Sequence, residues 1–454
     1  MRLTWHSSAC FSVESNDTRV LFDPWLESHA FLGSWAQWPP IKDTKATVLN
    51  TKYEYIVYTH FHSDHFDSRF LSAYLKAAKL LKHKPTILVA ENSWNQLARS
   101  ITNIAGDSAN VKQISSGEKF GLNSKDFSIT LYCSDHCDPT LCGKSIGCFS
   151  SNPKFRSIDS VALIEDASSS IINFNDAVSS NLDVHLQKMG KKADLVMGVF
   201  SAAGSFPQCQ TNFTKKDIEI AKEKFIDSAL QRLTIAAERL GSKYIFPFAG
   251  QYILVGDLSR LNNDRAVLPV SSAKIKLNEL TDKTILTLNP NEHLTLVKGE
   301  IRSLGAEYIE PIDDVKDEYL FQNINSRYFY ERRSIESIDL KSLEENLELA
   351  SQKIARIYDN NLDYTIRITD KESNFRWFLN FGENLTWGTK LPMLKNYSEI
   401  VMDLRLLDGC VRKSPGYGGF TSMHWNQAHI GSHLMFHQTE YSTQAHYLLN
   451  FLHT

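Results

Sequence analysis

The run Tyr58 to Asp67, YTHFHSDHFD, sets the strongest limit on this chain, because it places three imidazoles and two carboxylates directly after the strand-like YEYIVYTH. A strand that ends this way turns its polar groups over a sheet edge. His60 and His62 sit two apart, so both face one side of an extended backbone and can bind one ion. Asp64 and His65 follow around the turn and reach another. The spacing predicts a two-metal site. Two neighbouring ions lower the pKa of a shared water and hold a substrate oxygen, so no side-chain nucleophile is needed. The plain alternative is a solvated polar loop, since motif matches also arise by chance.

The rest of the chain supplies a frame for such a loop. LTWHSSACFSVES and TRVLFDPWL, separated by Asn-Asp, read as an opening β-hairpin. A helical spacing runs from Ser68 to Lys82, and PTILVA, FSITLYC, SVALIED, SIINFND and ADLVMGVF read as strands. From Thr214 to Leu240 apolar residues recur three or four apart, ending at Gly241, and KYIFPFAG re-enters as a strand. Strands alternating with helices predict a layered α/β core.

At 454 residues the chain exceeds what one core usually supports. The acidic EYIEPIDDVKDE marks a junction, so we expect a catalytic domain over residues 1–300 and a smaller α+β accessory domain over 310–454. The second part holds a Glu-rich helix from Leu340 to Tyr358, a hairpin in YTIRITDKESNFRWFLNFGE, and the His-rich MHWNQAHIGSHLMFH. A net charge of -3 lacks the basic excess of a nucleic-acid binder, which leaves small molecules as partners. No apolar stretch is long enough for a membrane span and no leader-like N-terminus is visible, so the expected location is cytoplasmic.

His60, His62, Asp64 and His65 resemble the signature of the metallo-β-lactamase superfamily. That resemblance implies an αββα sandwich with its metals at the sheet edge. His6 and the hairpin ending LFDPWL resemble the start of the lactonase-like and phosphodiesterase-like branches, which puts Asp23 near the metals. In the family's order His136, in ITLYCSDHC, and Asp176, in IINFNDA, are the next ligands, with Asp176 bridging both ions. The plain alternatives are a thiol-lined loop at His136 and a turn at Asp176. The last family ligand is a His after the final core strand, where this chain has Phe246 to Gly250. Either the second metal is lost, or His429 or another residue of the C-terminal run folds back to complete the site.

A narrower resemblance accounts for that gap. ADLVMGVFSAAGSFPQC, the long helix after it and YIFPFAGQY resemble consecutive segments of the catalytic part of CMP-sialic acid hydroxylases, which also carry Phe-Ala-Gly there. The similarity runs from the metal motif to Arg265, and more faintly through the C-terminal hairpin and the segment around HWN. The hydroxylases carry a Rieske domain whose cluster needs two Cys and two His. Nothing before His60 provides one. Cys133, Cys137, Cys142 and Cys148 have the wrong setting for it, although four thiolates in a closing loop can hold zinc.

The resemblance therefore implies a metal-dependent enzyme acting on an acidic sugar, a nucleotide-linked sugar or a similar polar metabolite. His60, His62 and His136 hold one ion, Asp64 and His65 begin the second, and Asp176 bridges. Asp64 alternatively takes the proton released in hydrolysis. Imidazole and carboxylate ligands suit two divalent ions of iron, zinc or manganese alike. An oxygenase would need a separate electron donor, whereas a lactonase or phosphodiesterase would not. A third reading is a non-catalytic descendant that binds a partner protein. Around the pocket the resemblance implies Trp25, Ser201 to Phe206 and Phe248 to Tyr252 as substrate contacts, their alternative role being packing.

Overall fold

Apolar side chains alternate along the first strands, and this period of two assigns them to two faces. Along Cys10–Ser15, Phe11 and Val13 join one core while Cys10 joins another; along Thr18–Phe22, Val20 and Phe22 oppose Leu21. Along Tyr55–Tyr58, Tyr55 and Val57 oppose Ile56 and Tyr58. Strands buried on both faces must be covered on both.

The computed structural model describes residues 1–27, 29–41, 43–91, 96–123, 126–133, 159–179, 190, 192–358, 362–390, 396–412, 423–439 and 442–454. It covers one face of this sheet with a second sheet and the other with helices. The first sheet runs Glu300–Leu304, His293–Val297, Arg2–Ser7, Cys10–Ser15, Thr18–Phe22, Tyr55–Tyr58, Thr86–Ala90, Asn110–Ile114. The second runs Thr284–Ile285, Tyr244–Pro247, Leu195–Gly198, Ser170–Asn175, Ser160–Glu165, Ser128–Cys133, Lys119–Gly121. Phe11, Phe22, Val57 and Leu88 of the first meet Leu131, Leu163, Ile172 and Phe174 of the second in one core. Helices Ser68–Leu80 and Gln96–Ala105 cover the outer face of the first sheet, and Lys215–Arg239 and Val270–Leu280 that of the second. The result is the expected αββα sandwich.

Local chemistry fixes the ends of these elements. Asp67 caps Ser68–Leu80 by accepting from the backbone N–H groups of Arg69 and Phe70, and Thr214 and Asp217 form a reciprocal capping box on Lys215–Arg239. Asn16 and Asp17 both adopt left-handed backbone, φ 48° and 60°, as a two-residue hairpin turn with the twist of its strands requires. The expected single run LTWHSSACFSVES is instead two strands, Arg2–Ser7 and Cys10–Ser15, because a tight turn at Ser8, φ 44°, pairs Ser7 with Cys10.

A third sheet, in the order Thr386–Gly388, Arg376–Phe381, Tyr364–Asp370, Tyr397–Met402, Met435–Gln438, packs Leu379, Ile400 and Met402 against Leu343, Leu347 and Ile354 of helix Leu340–Ile357. Its core also contains Trp25, Phe31, Trp35 and Tyr252 from the first part of the chain. Backbone bonds cross as well: Phe436 N–H donates to Cys209 O and Thr211 N–H to Phe436 O, both at 2.8 Å. The acidic junction forms helix Asp313–Gln322, which buries no residue. Among the described residues no helix is long and apolar enough to cross a membrane.

Candidate metal centre

Parallel strands bring their C-terminal ends to one edge. Phe22 pairs with Val57 in the first sheet, and Asn175, Gly198 and Pro247 align in the second. Asp23, the His60 to His65 loop and Asp176 therefore leave their strands side by side. Antiparallel to these, Ser160–Glu165 begins at the same edge, and the Ser160 hydroxyl donates to Thr59 O at 2.6 Å, drawing Asp159 to the loop.

Two groups of ligand atoms result, His60 with His62 and Asp159, and His60 with His65 and Asp176, the atoms of each lying within 4.8 Å of one another and all five residues buried. His60 Nε2 lies 3.8 Å from Asp159 Oδ1, 3.7 Å from Asp176 Oδ2 and 3.0 Å from His62 Nδ1. His65 Nε2 lies 3.5 Å from Asp64 Oδ2 and 3.8 Å from Asp176 Oδ2. An imidazole nitrogen has one lone pair and serves one ion. With His60 assigned to His62 and Asp159, three donors remain for a second ion: Asp64, His65 and Asp176. Asp64 Oδ1 is buried with no hydrogen-bond partner among the described residues, as suits a donor awaiting a cation.

Asp23 orients the centre. Fully buried, it accepts from Thr59 N–H at 2.8 Å, the Thr59 hydroxyl at 2.6 Å and the Asn175 amide at 2.7 Å, and it lies 3.2 Å from His65 Nδ1. A carboxylate there fixes the proton on Nδ1 and leaves Nε2 to face Asp64 and Asp176. Burial, reinforced by Asp176 and opposed by His65, pushes Asp64 up to about 7. Burial alone lowers His65, but the carboxylates of Asp64, Asp176 and Asp23 outweigh it and raise the imidazole to about 10. The pocket thus stabilises positive charge, which a metal ion supplies more fully than a proton.

Asp159 was missed in the sequence. Its only signal is an acidic residue immediately before SVALIE, a strand entering at the metal edge. His136, Cys137, Cys142 and Cys148 lie outside the described residues, while Cys133 is buried at the end of its strand. The C-terminal histidines do not join the ligand groups. His433 is buried, with Nε2 at 2.9 Å from Phe31 O and Nδ1 at 3.2 Å from the Tyr330 hydroxyl, and His429 packs against Phe436. His6 bonds to Asn291 and Ser12, and burial lowers it to about 4.

The remaining pocket candidates are held by hydrogen bonds and aromatic contacts. Trp25 is buried, and its carbonyl accepts from Gln37 at 3.2 Å. Ser201 donates to Gly250 O, Phe206 packs against Phe213 and Phe225, and Phe248 against Phe246 and Phe11. Tyr252 stacks on Trp35 at 3.4 Å, Trp35 meets Phe31 at 4.5 Å, and Phe31 lies 6.0 Å from the His62 ring.

Residues 2–141 match the β-lactamase superfamily domain. A stretch of 86 residues, 19% of this chain and 13% of the relative, is 34% identical to cytidine monophosphate-N-acetylneuraminic acid hydroxylase of Danio rerio. Another of 146 residues, 32% of this chain and 54% of the relative, is 23% identical to a metal-dependent hydrolase of Oenococcus oeni. The chain thus spans only part of the length of these relatives. The crystal structure of isothiocyanate hydrolase from Delia radicum gut bacteria aligns with 66% of this chain and 100% of its own at 13% identity and a TM-score of 0.42. Sandwich, sheet-edge histidines and domain match make this a protein of the metallo-β-lactamase fold, with relatives among metal-dependent hydrolases and with candidate His/Asp metal-binding groups.

Proposed function

We propose that this chain is a dinuclear metal-dependent hydrolase acting on an acidic sugar, a nucleotide-linked sugar or a similar polar metabolite. The observation that carries the reading is the convergence of two buried His/carboxylate groups at one sheet edge. His60, His62 and Asp159 would hold one ion, and Asp64, His65 and Asp176 the second, with His136 an additional ligand. Iron, zinc and manganese all fit these donors. Two such ions supply Lewis acidity and a water of lowered pKa.

The protein's own groups do the rest. Asp23 holds His65 in one tautomer, and Asp64 serves as ligand or takes the proton that hydrolysis releases. Trp25, the Ser201 to Phe206 loop and Phe248 to Tyr252 orient the substrate and exclude bulk water. Residues 1–300 form the catalytic part and 310–454 an accessory part that braces it.

A second reading, oxygenation with electrons from a separate donor protein, is favoured by the 34% identity to a protein named as a hydroxylase. Metal content separates the readings. Elemental analysis of wild type and of the His60→Ala, His62→Ala double variant is expected to give about two ions per chain in the first and a loss in the second. Zinc or manganese supports hydrolysis and two irons oxygenation; wild-type protein without metal overturns both and leaves a partner-binding role.

A further inference from the structure

Ser63 stands between His62 of the first ligand group and Asp64 of the second. Its side chain bonds elsewhere: the oxygen accepts from Phe31 N–H at 2.7 Å, and the hydroxyl donates to Gln427 Oε1 at 3.2 Å. Ser63 is 2% exposed and Gln427 4%, so water does not compete for either bond. A hydroxyl has one proton, and with that proton given to Gln427 and a lone pair to Phe31 its rotor is fixed. Displacing Ser63 displaces a ligand of each ion, because the backbone on its two sides carries both.

Both partners of Ser63 are themselves held by the C-terminal part of the chain. Gln427 rides on helix Trp425–Ile430, whose Trp425 and Ala428 lie in one core with Ile400 and Phe436 of the third sheet. The Trp425 indole also donates to Leu452 O at 3.1 Å. Phe31 and Leu32 adopt left-handed backbone, φ 47° and 61°, which bulky residues keep only where their surroundings impose it. Here Ser63 takes the Phe31 N–H, and His433 Nε2 lies 2.9 Å from the Phe31 carbonyl oxygen. Gly431 allows this close approach: a Cβ there would come within 2.9 Å of both Phe31 Cβ and Gln427 O.

We propose that Gln427, acting through Ser63, is a positioning residue for the metal loop, so that ion binding is coupled to the C-terminal part of the chain. The proposal rests on the enzymatic reading above and gives the accessory part its role at that site. The effect is one of pre-organisation: a loop already held in its liganding geometry loses less freedom when the ions bind. Coupling is reciprocal, so ions that fix the loop also steady helix Trp425–Ile430.

Zinc titration against a competing chelator, on the metal-depleted full chain, tests this in wild type, Ser63→Ala, Gln427→Ala, their double variant and Ile400→Val. Gln427→Ala should weaken zinc binding about fivefold and Ser63→Ala about tenfold. The double variant should match Ser63→Ala, since without the hydroxyl Gln427 has nothing on the loop to hold. Ile400→Val, a core change in the third sheet that removes none of these bonds, should lower the melting temperature and leave zinc affinity unchanged. Zinc should also slow amide hydrogen exchange in helix Trp425–Ile430 of wild type and not of Gln427→Ala. The proposal is overturned by a Gln427→Ala affinity within about twofold of wild type, or by losses that multiply in the double variant. An equal loss in Ile400→Val, or helix exchange indifferent to zinc in wild type, overturns it too. Should Gln427→Ala not fold, unchanged affinity in Ser63→Ala overturns it equally. Wild type that takes up no zinc removes the enzymatic reading together with this one, whereas zinc binding that ignores Gln427 removes the coupling alone.

Discussion

The chain buries histidine in two contrasting ways. In the first sheet's edge loop, His60 and His65 turn ring nitrogens toward Asp159, Asp176 and Asp64. In the third sheet's core, His433 is satisfied by Phe31 O and the Tyr330 hydroxyl, and His446 by Ser442 O at 2.8 Å and the Ser398 hydroxyl at 3.2 Å. A carbonyl accepts and a hydroxyl donates, so each of these two rings is held as one neutral tautomer. The first group is built to carry positive charge, the second to refuse it. Histidine density therefore says little about ligation; the company the rings keep decides it.

Acid should split the two groups most sharply. His433 and His446 are lowered by burial to about 4, below the ordinary 6.5 of an unfolded chain. The unfolded state thus takes up protons first, and the stability these residues contribute is fully present above pH 6.5 and lost as pH falls toward 4. Each accounts for up to about 3 kcal/mol of that loss. Fluorescence of the buried Trp377 and Trp425 should report the third sheet opening across this window. A signal flat down to pH 4 would show that these rings are not held neutral.

The next largest effect concerns the residue that the sequence concealed. Asp159→Asn removes a carboxylate from the first ligand group and should weaken metal binding by about 100-fold or more in chelator competition. Unchanged affinity would hand its place to another donor. Asp23→Asn should weaken binding by about 10- to 100-fold, since an amide still fills the space but no longer anchors the His65 proton. An affinity within twofold of wild type would mean that packing alone orients the ring.

How far the sequence could be read follows from the same contrast. A layered α/β core was legible because strand alternation and helix spacing are local signals, its arrangement as an αββα sandwich came from the family resemblance, and His60, His62, Asp64 and His65 could be read because all four ride on one turn. Asp159 was not, because nothing about a lone Asp before SVALIE shows that Ser160 will bond to Thr59 and carry it to the loop. The C-terminal run looked capable of ligation because spacing is all a sequence displays. What the fold adds is, at His433, a carbonyl at one ring nitrogen and a hydroxyl at the other.

The smallest expected effect is the most discriminating. Tyr330→Phe deletes the hydroxyl that donates to His433 Nδ1 and leaves that nitrogen's lone pair buried and unsatisfied. At neutral pH the loss should be about 1 kcal/mol, a fall of a few degrees in melting temperature, with metal content unchanged. With the hydroxyl acting as donor the deletion harms the neutral ring and raises the pKa of His433, so the gap between variant and wild type should narrow as pH approaches 4. A gap that stays constant would mean that Tyr330 contributes packing alone. A gap that widens would mean that the hydroxyl turns to accept from the protonated ring, so that this site supports charge as the sheet edge does.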